Sequence, residues 1–264
     1  MLKIKPLRES LLDDDLVEKT DKSIKDEVKA FLKENYRGSI RISREPNKDG
    51  KYEVSSTSDI VVINRNINSL TNGMFIWTTV GGYFSCSFCF KLESLVGAPK
   101  KVEEGFYCLS CGALISLDGA PKEVGGDFDC SACPSLKSLD DSPEKVGRDF
   151  HCHRCKSLKT LKGASQIVNG SFYCYNCNSL KSLEGAPGKV SGTFYCSNCQ
   201  SLKSLKGAPE KVGESFYCYN CKSLKSLEGA PKNVKKYFNC RGCKIQFTED
   251  DVKKISNVKG EIKC

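Results

Sequence analysis

The sequence predicts a mostly β solenoid: a right-handed stack of short parallel strands in one sheet, closed at its two ends by different structures. Three observations carry this. Eight Cys-x-x-Cys pairs recur every 22 residues, from Cys86 and Cys89 to Cys240 and Cys243. A constant period means that each unit meets its neighbours in the same way, which describes a linear stack and not a globular enzyme. Within a unit, Phe194 and Cys196 alternate with Tyr195 and Ser197, the period-2 pattern of a short strand with one buried face. Most units then close on a turn such as Gly207-Ala208-Pro209.

Residues 1–20, with Asp13-Asp14-Asp15, read as a flexible tail. Ile24, Val28, Phe31 and Leu32 share one face of a helix expected near residues 21–35. Ile40 and Ile42, then Tyr52 and Val54, bracket Asn47-Lys48-Asp49-Gly50, which predicts a hairpin. Helix and hairpin (21–58) form an N-terminal cap that covers an otherwise open sheet edge. Residues 59–80 read as a degenerate first repeat without cysteine, with Ile60, Val62, Ile67 and Leu70 in the apolar positions. Residues 81–244 are the eight repeats, whose inward columns are those of Val190, Phe194, Cys196, Cys199, Leu202 and Leu205. In the C-terminal cap (245–264), Thr248 is placed to N-cap a short helix with acids in its first turn. Val258, Ile262 and Cys264 then repeat the offsets of Val234, Phe238 and Cys240, giving a last half-coil.

The repeat resembles the leucine-rich repeat family, whose signature is L-x-x-L-x-L-x-x-N/C-x-L. Phe194 and Cys196 match the strand leucines, Cys199 the Asn/Cys position and Leu202 the leucine after it. Val190 departs from the pattern by sitting one place early. The resemblance spans residues 81–264 and implies a leucine-rich-repeat solenoid in which the second cysteine turns inward to cap backbone groups. It also implies a non-enzymatic module that binds another protein on its strand face. The variant running from Ser179 to Cys196 looks like short repeats of bacteriophage and gut-bacterial proteins. That likeness implies a phage-encoded chain, in the host cytoplasm or a virion.

Composition narrows the classes. The segment Met1–Ser10 has no apolar core of signal-peptide length, and no run approaches the roughly 20 apolar residues of a membrane span. A cytoplasmic protein with reduced thiols and no membrane partner is expected. Of the net charge of +9, the first 80 residues (14 basic, 13 acidic) contribute only +1, so the repeats carry the rest.

The Cys-x-x-Cys pairs admit a rival reading, because C-x2-C-x18-C-x2-C lies within the spacing of four-cysteine zinc sites. Such sites consume two pairs each and would imprint a 44-residue alternation, yet consecutive repeats look alike. Cys264 continues the first-cysteine column with no partner after it, and Val62 occupies that column in the degenerate coil. A ladder of buried thiols acting as small apolar side chains fits better, with no metal and no cofactor. His151-Cys152-His153 holds the only histidines, but alternation turns Cys152 inward and both rings outward, so no thiolate–imidazole pair is expected.

Two surfaces remain. Outward strand positions place Tyr107, His151, His153, Tyr173, Tyr175, Tyr195, Tyr217 and Tyr219 on one face, the candidate partner site. Tyrosine is enriched at interfaces, and it also stacks well along a sheet for structural reasons alone. Lys137, Lys159, Lys181, Lys203 and Lys225, one per coil, form a possible anion stripe for nucleic acid or another polyanion, or a solvated charged face. A structural component of a phage particle is a further alternative.

Overall fold

The computed structural model describes residues 14–264, with side chains described from Lys22 onward. A β-solenoid dominates it. The strands Phe84–Ser85, Phe106–Tyr107 and their equivalents to Phe238–Asn239 pair in parallel, Phe against Phe, at 22-residue steps. They form the middle of an 11-stranded sheet. The buried Phe side chains make one continuous ladder, with Phe150, Phe172 and Phe194 stacked at centroid distances of 4.9 and 5.4 Å. Phe, both cysteines, both leucines and the valine of the central coils are fully buried, so six columns per coil fill the interior as the sequence predicts.

Each coil holds a second short strand that the sequence analysis does not contain. Lys101–Val102, Glu123–Val124 and their equivalents pair in parallel along another side of the coil. They build a seven-stranded and a four-stranded sheet, the latter running from Lys189–Val190 to Asn257–Val258. The expectation of one parallel sheet is therefore corrected to three. A two-residue strand with one buried valine and one exposed neighbour offers no alternation to read.

The chain turns sharply between the paired cysteines. The residue before the second cysteine is left-handed in the first seven cysteine coils, with φ of 57–61° at Phe88, Ser110, Arg154, Asn176, Asn198 and Asn220, and 54° at Ala132. Asparagine and the Gly242 of the last coil suit this conformation; Phe88, Ser110, Ala132 and Arg154 of the earlier coils adopt it less readily. The second turn uses glycine. Gly207 has φ of 90°, and a Cβ there would fall 2.5 Å from the Glu184 amide nitrogen of the preceding coil. Gly207→Val is expected to destabilise the protein by at least about 1–3 kcal/mol in urea titration, from backbone strain alone. Asp141 fills the equivalent place of another coil at φ of 65°, which aspartate tolerates.

At the N-terminus, α1 (Asp14–Asn35) starts before the position expected, so residues 14–20 are helical; residues 1–13 of the predicted tail lie outside the described residues. Val28 and Leu32 are buried and Phe31 packs against them, but Ile24 is exposed and is not part of the core face. The predicted hairpin forms: β2 (Arg41–Ile42) pairs antiparallel with β3 (Tyr52–Ser56). It extends the valine sheet, because β3 pairs in parallel with β5 (Phe75–Val80). A separate strand, β1 (Tyr36–Arg37), closes the phenylalanine sheet by pairing antiparallel with β4 (Ile60–Val62). Ile60 pairs in turn with Phe84, which puts Ile60 and Val62 in the columns assigned to them. At the other end α2 (Glu249–Lys253) is capped by Thr248: its hydroxyl accepts from the Asp251 amide and the Asp251 carboxylate accepts from the Thr248 amide. Asn257–Val258 and Ile262–Lys263 then add a last strand to the four-stranded and the 11-stranded sheet.

Candidate functional site

From the second cysteine coil onward, the second cysteine of the coil has a defined role. Its thiol donates to the carbonyl of the preceding coil's first cysteine: Cys111 to Cys86 and Cys177 to Cys152, at 3.2 and 3.1 Å. The same bond recurs in every later coil up to Cys243, which reaches Cys218 at 3.2 Å. These bonds require a proton on sulfur. Burial pushes the thiols of Cys155 and Cys199 up to about 12, and holds those of Cys130, Cys152, Cys174, Cys196 and Cys218 well above the ordinary thiol range. Among the described residues no three His, Cys, Asp or Glu side chains converge to hold an ion. Paired thiols used as hydrogen-bond donors in a dry interior do not fit a four-thiolate zinc site.

The outward face of the phenylalanine sheet assembles seven of the eight predicted partner-site residues. His151 stacks on Tyr173 at 4.6 Å and His153 on Tyr175 at 4.3 Å. Tyr195 then meets four rings: Tyr173, Tyr175, Tyr217 and Tyr219 at 6.4, 4.9, 5.2 and 5.9 Å. Its position follows from its neighbour. Ser197, fully buried, is the small residue between Tyr175 and Tyr219 in their column, which leaves space for the Tyr195 ring to lean over it. The Tyr195 and Tyr219 hydroxyls hydrogen-bond to one another. Burial and that bond hold the Tyr195 hydroxyl above its ordinary range.

Tyr107 is not part of the band. Asp129 stands between it and His151 in the strand register, and its ring meets Tyr83 at 5.9 Å. The outward columns are also less uniform than alternation implies: Ser87, Ser131 and Asn239 are buried. The left-handed residues Asn176, Asn198 and Asn220 turn the chain just past these strands. They were not singled out from the sequence, although Asn directly before a recurring cysteine is a visible signal.

The two His–Tyr pairs stack face to face, whereas Tyr195 meets its four neighbours tilted or edge-on, at interplanar angles of 49–85°. The result is a rigid band, apolar between coils and hydrogen-bonding at its tips. His153 is neutral near pH 7: burial pushes it down to about 4, His151 adds to the effect, and Asp129 opposes it. Cys152, beneath the two histidines, is fully buried with its thiol pushed up, the reverse of an activated nucleophile.

The five stripe lysines are exposed and lie in register: Lys181 donates its amide to Lys159, Lys203 to Lys181 and Lys225 to Lys203, at 3.1–3.3 Å. Ion pairs between coils occur elsewhere, as in Lys232–Glu210 and Lys236–Glu214 at 2.7 Å, and among the described residues none involves the stripe. Among the described residues no helix is long and apolar enough to cross a membrane. Comparison with family models, curated proteins and solved structures finds no match to this chain.

Proposed function

We propose that the chain is a non-enzymatic binding module whose partner is another protein, held on the band centred on Tyr195. The observation that carries this is the cluster of five tyrosines and two histidines fixed against one another on a rigid sheet. Such rings lose little conformational freedom on binding, bury large apolar area and keep a hydroxyl for hydrogen bonds. The strand face is also where the resemblance to leucine-rich repeats places the contact surface.

A photo-crosslinker at Tyr217 should capture one protein species, and the Tyr173→Ser, Tyr195→Ser, Tyr217→Ser variant should lose at least about 2 kcal/mol of affinity for it, about 30-fold. Lys159→Glu, Lys181→Glu, Lys203→Glu should leave that affinity unchanged. Equal affinity of the tyrosine variant and the parent would refute the assignment.

A further inference from the structure

We propose a second site on the same molecule: the lysine stripe binds the phosphate backbone of single-stranded nucleic acid. This goes beyond the tyrosine-face reading and does not depend on it.

The stripe is a line, not a patch. Lys137, Lys159, Lys181, Lys203 and Lys225 project from equivalent positions of five consecutive coils. Four intervals of strand spacing make the line about 19 Å long. Like charges held one strand apart repel, and none of the five has an acid within ion-pair distance among the described residues. Backbone hydrogen bonds register Lys159, Lys181, Lys203 and Lys225, and Lys137 is tied to Ile115, so the charges recur at the strand spacing.

The residues on either side restrict the ligand. The exposed column after the second leucine reads Asp140, Lys162, Glu184, Lys206, Glu228, acid alternating with base. A broad anionic surface laid on this side would press against Asp140, Glu184 and Glu228. A single thread of negative charge along the lysine column would not. Half-buried serine hydroxyls stand beside four of the lysines, at Ser138, Ser182, Ser204 and Ser226, offering a phosphate a donor next to the ammonium; the Thr160 hydroxyl beside Lys159 is spent on the Glu184 carbonyl. Lysine acts as a point charge without the planar fork of arginine, which suits backbone contact without base readout. The line also has a defined start. The residue that precedes Lys137 in the ladder is Ile115, 44% exposed, and Phe90, 54% exposed, belongs to the first cysteine coil. Past Ile115 the ladder continues to the exposed Glu93, so the run of positive charge begins at Lys137.

Five phosphate contacts on a single strand predict a measurable salt dependence. The association constant of a fluorescein-labelled oligothymidylate of about 20 nucleotides, followed by anisotropy, should fall with log salt at a slope of about −3.5. Lys159→Ala, Lys181→Ala, Lys203→Ala should reduce the slope to about −1.4, and the triple Glu variant should weaken binding by at least about 100-fold at 50 mM salt. Circular dichroism and the melting temperature report that these surface variants stay folded. The triple tyrosine variant should bind the oligonucleotide within twofold of the parent, which separates this site from the protein-binding one. No saturable binding at 50 mM salt, parental affinity in the lysine variants, or binding to inorganic polyphosphate or phosphatidylserine vesicles in preference to the oligonucleotide would each overturn the proposal.

Discussion

Phe172→Ala is expected to cost about 3–5 kcal/mol in urea unfolding, the usual loss for an aromatic side chain removed from a close-packed core. Phe172 is fully buried, and its ring is stacked on both sides, against Phe150 and Phe194. Removing it takes away two ring contacts and leaves a void that the coils above and below cannot close, because their spacing is fixed by strand hydrogen bonds. Phe238 supplies the internal comparison. It meets Phe216 on one side, but on the other its strand pairs with Ile262, which is only half-buried. Phe238→Ala should therefore cost clearly less than Phe172→Ala. Equal losses would mean that ring stacking along the ladder contributes nothing beyond local burial.

Thiol chemistry gives the second large effect. In native protein at pH 8, Ellman's reagent should modify only the half-buried Cys243 and Cys264, and all 17 cysteines after unfolding. Protein purified under reducing conditions without chelator should carry no stoichiometric zinc. About one zinc per two repeats would overturn the thiol ladder. The same geometry sets the response to alkali. The buried thiols, except Cys111, which the hydrogen bond with Cys133 lowers, have folded-state pKa values raised above the unfolded value, to about 12 at Cys155 and Cys199. Their contribution to stability is thus fully present below the ordinary thiol pKa of about 8.5 and is lost as pH rises through the window to about 12. Thiolate absorbance and loss of circular dichroism should rise together as one cooperative transition within that window. Thiols that titrate one by one in folded protein would contradict the assignment.

Much of this arrangement was legible because the repeat forces every coil to solve the same packing problem. Six columns recurring at one offset could only face a shared interior, and Cys264 and Val62 show that the first-cysteine column accepts an unpaired thiol or an apolar side chain. The hairpin and the Thr248 cap were legible from local chemistry, a turn sequence and an acid-rich first turn. The valine strands were not, since one buried residue per strand leaves no pattern. The cysteine hydrogen bond was visible as an inward turn, but its acceptor lies 25 residues back, three more than the repeat, and only the stacked coils reveal it. The tyrosine columns were read correctly as outward for most coils. What spacing could not supply was the size of the neighbours: Ser197 makes Tyr195 the hub, and Asp129 separates Tyr107 from it.

The in-register ladder also poses a counting problem for the folding chain. Coils that present identical donors, acceptors and ring surfaces can dock one unit out of step and still satisfy almost every local interaction, so the central repeats alone do not encode which coil is which. The N-terminal segment breaks this translational degeneracy. Only the first coil offers Ile60 and Val62 to the antiparallel strand at Tyr36, and the Tyr36 hydroxyl is used on the Leu70 carbonyl of that coil alone. The helix and its strand therefore act as the origin of a ruler: they fix where the count begins, and with it which tyrosines and which lysines end up side by side.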